Sequence, residues 1–118
     1  VSRILVIDDN ETVRDVIRQL LEFGGHEVSE CEDGPKGLEA QRTNPFDLVI
    51  VDIQLPGISG FEVIRCLRDE EKGVRIIAVA GRTEKTLEKA IEAGADRIMT
   101  KPLRLRPFLE IVNELLEQ

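Results

Sequence analysis

Tryptophan and tyrosine are absent from the chain, and phenylalanine occurs four times. With aromatics at 3%, the core of this 118-residue protein must be built from aliphatic side chains. Phe23, Phe46, Phe61 and Phe108 are assigned to core or interface packing, not to a ligand stack. The lone histidine, His26, is read as a turn residue without a catalytic role. Cys31 and Cys66 lie far apart and lack the spacing of metal ligands, so reduced, buried thiols in a cytoplasmic protein are expected. No apolar run approaches the roughly 20 residues of a membrane span, and no secretory signal pattern occurs. Repeats, low-complexity tracts and linkers are missing too. Positive charge is not in excess: the formal net charge of -7 argues against nonspecific nucleic-acid binding by the domain as a whole. Val1 stands where an initiator methionine would, which implies a processed or excised chain.

What is present suits one soluble globular domain over residues 1–118, with 42% hydrophobic and 33% charged residues and enough length for a real core. Leu48-Val49-Ile50-Val51-Asp52 is an unbroken aliphatic run closed by a carboxylate. Such a run predicts a strand buried on both faces, as in parallel sheets. Its charged end must leave the core, which puts Asp52 at the carboxyl edge of the sheet, where open α/β sheets bind ligands.

Arg3 to Ile7 repeats the pattern and ends in Asp8-Asp9, followed by Asn10 as a helix cap. The helix after it carries Val13, Ile17, Leu20 and Leu21 on one face and stops at Gly24-Gly25. Glu27 to Cys31 is a weaker strand. Asp33-Gly34-Pro35 turns into a helix that reaches about Thr43, with Leu38 and Ala40 inward, and breaks at Asn44-Pro45. Ser59 and Glu62 have the spacing of a capping box ahead of Val63, Ile64 and Leu67. Arg75 to Ala80 is a fourth strand. Thr83 caps a helix containing Leu87, Ala90 and Ile91, which Gly94 ends. Asp96 to Thr100 is the fifth strand, followed by Lys101-Pro102, and a last helix runs from about Leu105 to Glu117. Strands alternating with helices predict an α/β fold with a parallel sheet covered on both sides and right-handed crossovers.

Parallel strands all end on the same edge. With strands one, three and five as neighbours, Asp8, Asp9 and Asp52 meet there with Lys101. Close carboxylates repel one another unless a cation joins them. Hard oxygen ligands suit Mg2+, which is usually held by few carboxylates plus phosphate. Asp52 can then act as a carboxylate nucleophile toward phosphorus, with Lys101 and the metal neutralising the phosphoryl oxygens. Singly, each motif has a plain explanation, such as an acidic pair complementing a helix dipole. Their shared position at strand ends favours function.

Ile4-Leu5-Val6-Ile7-Asp8-Asp9, Asp52 with Leu55-Pro56-Gly57 and Gly60, Ala93-Gly94-Ala95 and Lys101-Pro102 together resemble a receiver domain of bacterial two-component response regulators, in the chemotaxis-regulator-like superfamily. The likeness covers essentially the full chain. It implies a flavodoxin-like fold, a five-stranded parallel sheet of order 2-1-3-4-5. It implies Asp52 as phosphoacceptor, Asp9 as a direct Mg2+ ligand, Asp8 as the acid that reaches the metal through water, and the Gln54 backbone carbonyl as a third protein ligand. Lys101 takes the place of the lysine that pairs with the phosphoryl group, and Pro102 follows a cis peptide. The implied donor is a phosphohistidine on a sensor histidine kinase or a histidine phosphotransfer protein.

Two positions depart from the family. Its fourth strand usually ends in Ser or Thr, where this chain has Ala80, or Val79 if the register slides; neither has a hydroxyl. Its fifth strand usually carries Tyr or Phe where Ile98 stands, and Leu103 replaces a common Phe after Lys-Pro. Phosphorylation with weakened coupling to the output face is therefore expected. In the family the face spanned by residues 82–118 docks effector domains or a second copy. Here it carries Arg82, Lys85, Lys89, Arg97, Arg104 and Arg106 against Glu84, Glu88, Glu92 and Asp96, which equally suits a solvated surface. No direct nucleic-acid or membrane contact is expected of this domain. The chain stops where effector domains begin in the family, which fits a fragment of a longer regulator.

Two other functions compete. One is a constitutive docking module with a disabled switch, which Ala80 and Ile98 favour. The other is a hydrolytic phosphatase, whose usual second acid two residues after the nucleophile is missing, since Gln54 stands there.

Overall fold

Aliphatic runs become strands and amphipathic stretches become helices, in strict alternation. The computed structural model describes residues 2–71, 73–81 and 84–117. In chain order the elements are β1 (Arg3–Ile7), α1 (Glu11–Phe23), β2 (Glu27–Cys31), α2 (Gly34–Thr43), β3 (Leu48–Asp52), α3 (Gly60–Glu70), β4 (Arg75–Ala80), α4 (Glu84–Ala93), β5 (Arg97–Thr100) and α5 (Leu105–Leu116). The strands form one parallel sheet of order β2-β1-β3-β4-β5, as the resemblance implies.

Alternate residues of each central strand feed two cores. Leu5, Ile7, Val49, Val51, Ile76, Ala78 and Ala80 pack with Leu38, Val63, Ile64, Leu67 and Ala90 of α2, α3 and α4. Ile4, Val6, Leu48, Ile50, Ile77 and Val79 pack with Ile17, Leu21, Phe108, Val112 and Leu115 of α1 and α5. Both faces are dry, which is why the strands read as continuous apolar runs. Each fully buried aliphatic side chain contributes about 1.5–3 kcal/mol. Phe108 is core at 0% exposure, while Phe23, the last residue of α1, is 76% exposed. Phe46 and Phe61 are half-buried against the first core, and the Arg3 guanidinium lies 4.5 Å from the Phe46 ring centre.

Local signals set the element ends. Asn10 accepts from the Val13 N–H at 3.0 Å, and Asp33 from the Lys36 N–H at 2.8 Å. Ser59 Oγ accepts from the Glu62 N–H at 3.4 Å. The Glu62 carboxylate faces Arg65 instead of reaching back, so only half of the expected capping box forms. His26 sits in the turn after Gly25 and donates its N–H to the Leu21 carbonyl. Ile91 of α4 is 52% exposed, so Ala90 and Ala93 are the buried contacts of that helix, beside half-buried Leu87. The expected cap Thr83 lies outside the described residues, as do Arg82 and the side chain of Glu84. Cys31 and Cys66 are free and half-buried. Among the described residues no helix is long and apolar enough to cross a membrane.

The fifth strand starts one residue later than expected; Asp96 still donates its N–H to the Ile76 carbonyl at 2.9 Å, and its side chain takes the return bond. Its Oδ2 accepts from the Ile76 N–H and from Arg68 Nη2, both at 2.8 Å. Arg68 of α3 also donates twice to the Gly94 carbonyl, at 3.1 and 2.8 Å, and to the Val74 carbonyl at 2.6 Å. Gly94, at φ 121°, takes a backbone conformation that suits glycine and ends α4.

Candidate functional site

Register alone brings the acidic residues together. Ile7 pairs with Val51 across β1 and β3, so the residues that follow, Asp8 and Asp52, emerge side by side at the carboxyl edge. One oxygen from each of Asp8, Asp9 and Asp52 lies within 4.8 Å of the others. Asp8 is 1% and Asp52 5% exposed, whereas Asp9 faces solvent.

β5 is not a neighbour of β3, because β4 lies between them. Lys101 still reaches the middle strand: its Nζ donates to Asp52 Oδ2 at 3.0 Å. The Lys101 N–H donates to the Ala80 carbonyl, which anchors the lysine at the end of β4. The Lys101–Pro102 peptide is cis, as the resemblance implies.

Two of the carboxylates are anchored by the loop that follows each. Asp52 Oδ1 accepts from the Gln54 N–H at 2.9 Å, and Asp8 Oδ1 from the Asn10 N–H at 2.9 Å. Asp8 Oδ2 is buried without a hydrogen-bond partner. Leaving such an oxygen unpaired costs about 1–3 kcal/mol. Burial, and secondarily the Asp52 carboxyl, push the Asp8 carboxyl up to about 6; the Asn10 N–H and Lys101 pull the other way. An orphaned buried oxygen in an all-oxygen cluster fits a small hard divalent cation, and Asp8, Asp9 and Asp52 are the side chains that could hold one.

Of the two positions that depart from the family pattern, Ala80 adjoins this site through its carbonyl's bond to Lys101. Ala80 ends β4, is 3% exposed, and pairs with Thr100 of β5. Val79 pairs with Asp52 and packs in the α1–α5 core. Ile98 is half-buried against the other core. Neither alternative for the end of β4 carries a hydroxyl.

On the face from α4 to α5, several charges are engaged within the domain. Arg97 pairs with Glu114 at 3.0 Å and Asp96 with Arg68 at 2.8 Å. Lys85, Glu88, Lys89, Glu92, Arg104 and Arg106 are exposed.

Among the contacts at the site that sequence reasoning missed is one from α1. Arg14 Nη1 donates to the Asp8 main-chain carbonyl at 2.7 Å. The only prior signal was an arginine one turn after the cap, and that pattern is common on any solvated helix face.

The response regulator receiver domain family model matches residues 4–113. Response regulator MprA from Mycobacterium sp. (strain KMS) is 34% identical over 117 residues, which is 98% of this chain and 51% of that protein. The chain thus spans about half the length of that curated relative. Polar-differentiation response regulator DivK from Brucella ovis is 32% identical over 116 residues, 96% of this chain and 94% of that protein. A solved response regulator receiver domain protein (CheY-like) from Methanospirillum hungatei shares 34% identity and a TM-score of 0.91, over 99% of this chain and 94% of that one.

Proposed function

The chain belongs to the response regulator receiver family, and on that premise we propose that Asp52 accepts a phosphoryl group from a phosphohistidine of a sensor histidine kinase or histidine phosphotransfer protein. The observation that carries this is Lys101 Nζ at 3.0 Å from Asp52 Oδ2, on the edge where Asp8 and Asp9 also gather. An Asp52 oxygen attacks phosphorus, and the P–N bond to the donor imidazole breaks. The imidazole keeps that electron pair and is protonated. Lys101 holds the acceptor carboxylate before transfer and has two further N–H donors for phosphoryl oxygens. Asp8, Asp9, Asp52 and the Gln54 backbone carbonyl would hold Mg2+. When bound, the ion offsets negative charge on the carboxylates and the transferring group.

The domain, residues 1–118, acts on itself and is not a turnover enzyme. With Gln54 where a phosphatase has its second acid, ester hydrolysis has no proton donor two residues from Asp52. Its setting is the cytoplasm, and the face of residues 82–118 meets an effector domain or a second copy. Incubation with Mg2+ and acetyl phosphate, followed by intact-mass measurement, should add one phosphoryl group at Asp52. An unmodified chain would refute the assignment.

Acidity should control the site in two opposite ways. The folded protein holds the Asp8 proton more tightly than the unfolded chain, so protonation there favours folding. That contribution is complete below the ordinary value of 3.8 and is lost as pH rises through about 6. Cation binding needs Asp8 ionised, so Mg2+ affinity should fall about tenfold per pH unit below that point. Titrations followed by amide NMR check this, since the chain has no tryptophan to report. Affinity that is flat across the acidic range would contradict it.

A second reading, a docking module with a degenerate switch, is favoured by the Ala80 methyl at the end of β4 and by Ile98. Ala80→Ser restores a hydroxyl with one added atom. A hydrogen bond to a charged group contributes about 1.5–3 kcal/mol. Beryllofluoride should therefore bind the variant about tenfold more tightly and move more α4 amides than in the parent. A parent domain whose α4 already shifts fully on beryllofluoride binding would show the coupling to be intact.

A further inference from the structure

The proposed chemistry leaves Arg14 without a task, yet its guanidinium ends at the acidic edge. Arg14 lies in the second turn of α1, and its side chain is 15% exposed. Helical side chains lean toward the helix N-terminus, which carries this one back over the end of β1. There Nη1 donates to the Asp8 carbonyl at 2.7 Å and Nε to Glu30 Oε1 at 3.3 Å. Glu30 Oε2 also forms an ion pair with Arg18 Nε at 3.3 Å.

Asp8 is consequently gripped at three points. Its N–H donates to the Cys31 carbonyl at 3.1 Å. Its Oδ1 accepts from Asn10, and its carbonyl accepts from Arg14. One atom is left over, the buried and unpartnered Oδ2. With the other three groups fixed, the carboxyl plane has little freedom to turn. A bare positive charge here would oppose a nearby cation, but the Glu30 carboxylate neutralises the guanidinium on its far side. Only a planar fork of donors can serve both partners at once; an ammonium is a single point.

We infer that Arg14 is a positioning residue for the cation site: its bridge from Glu30 to the Asp8 carbonyl pre-sets Asp8 Oδ2 toward Asp9 and Asp52. This rests on the reading of Asp8 as a member of the Mg2+ site. The relation is that of an outer partner to a metal ligand, whose loss costs roughly 10–100-fold in affinity.

The test uses the full chain, with Mg2+ alone as probe, amide NMR to read binding, and melting curves with and without the ion. Arg14→Ala should weaken Mg2+ binding about tenfold, with a smaller loss in Arg14→Lys and Glu30→Gln. Arg18→Ala, which leaves the Asp8 carbonyl contact in place, should bind like the parent. In metal-free protein the Asn10 amide should exchange faster in the Arg14 variants. At saturating Mg2+ their maximal rate of acetyl phosphate uptake should match the parent, with only the half-saturating Mg2+ concentration raised. Arg14→Lys keeps charge and length, and so still decides the matter if Arg14→Ala fails to fold. Folded Arg14 variants that bind Mg2+ within about twofold of the parent, and merely melt earlier with and without it, overturn the inference. A parent that binds no Mg2+ overturns the reading of the site itself, and the role of Arg14 with it.

Discussion

Replacing Asp52 with asparagine is expected to abolish phosphoryl uptake, lowering its rate roughly a thousandfold or more. The amide is close to the carboxylate in shape but is neutral, so it offers phosphorus no competent nucleophile. The fold should survive. Asp52 is 5% exposed beside Asp8, so neutralising it removes a repulsion, while Lys101, with its side chain 38% exposed, can turn to water. Mg2+ affinity should fall as well, because one of three clustered carboxylates is gone. Intact-mass kinetics with acetyl phosphate, beside a melting curve, separate loss of chemistry from loss of structure. A folded Asp52→Asn protein modified at the parent rate would move the acceptor elsewhere.

The second large effect comes from a residue with no chemistry. Gly60 opens α3 against the end of β3, its N–H donating to the Ile53 carbonyl at 2.9 Å. A Cβ there would sit 2.3 Å from the Asp52 carbonyl oxygen and 2.5 Å from Ile53 Cα. Both are main-chain atoms, one in the last residue of β3 and one in the residue after it, and cannot swing aside. Alanine ordinarily favours a helix over glycine by about 1 kcal/mol, and here the clash reverses that sign. Gly60→Ala should cost about 3 kcal/mol and lower Tm by roughly 10 °C. It should also displace Asp52, whose own carbonyl takes the closest contact. Gly73, with nothing within 4 Å of a Cβ, is the control; Gly73→Ala should stay within about 0.5 kcal/mol of the parent. Equal melting of the two variants would show that α3 can back away from the strand.

Most of this architecture was legible because the central strands β1, β3 and β4 are apolar runs closed by charge or glycine. Leu48 to Asp52 could be read as doubly buried since no polar residue interrupts it, and the alternation with helices then left one kind of sheet. Asp8, Asp52 and Lys101 were legible for the same reason, as charges placed where a strand must end. What escaped was contact made through the main chain. Arg14 aims at a carbonyl, and carbonyls leave no letter in a sequence. Gly60 answers to crowding between α3 and β3, which exists only once both are in place. Asp96 looked like the start of a strand, but the Ile76 N–H goes to its carboxylate and not to a main-chain carbonyl. Nor is a strand's register with its neighbour written in its letters: the pairing of Val79 with Asp52 appears only in the sheet.

The two bonds from Arg68 to the Gly94 carbonyl have a mechanical consequence. They moor the far end of α4 to α3, remote from the edge where Asp52 lies. Any response of that helix to events at the aspartate is then a tilt about a fixed pivot. A binding protein that sensed the swing would meet least of it near Ala93.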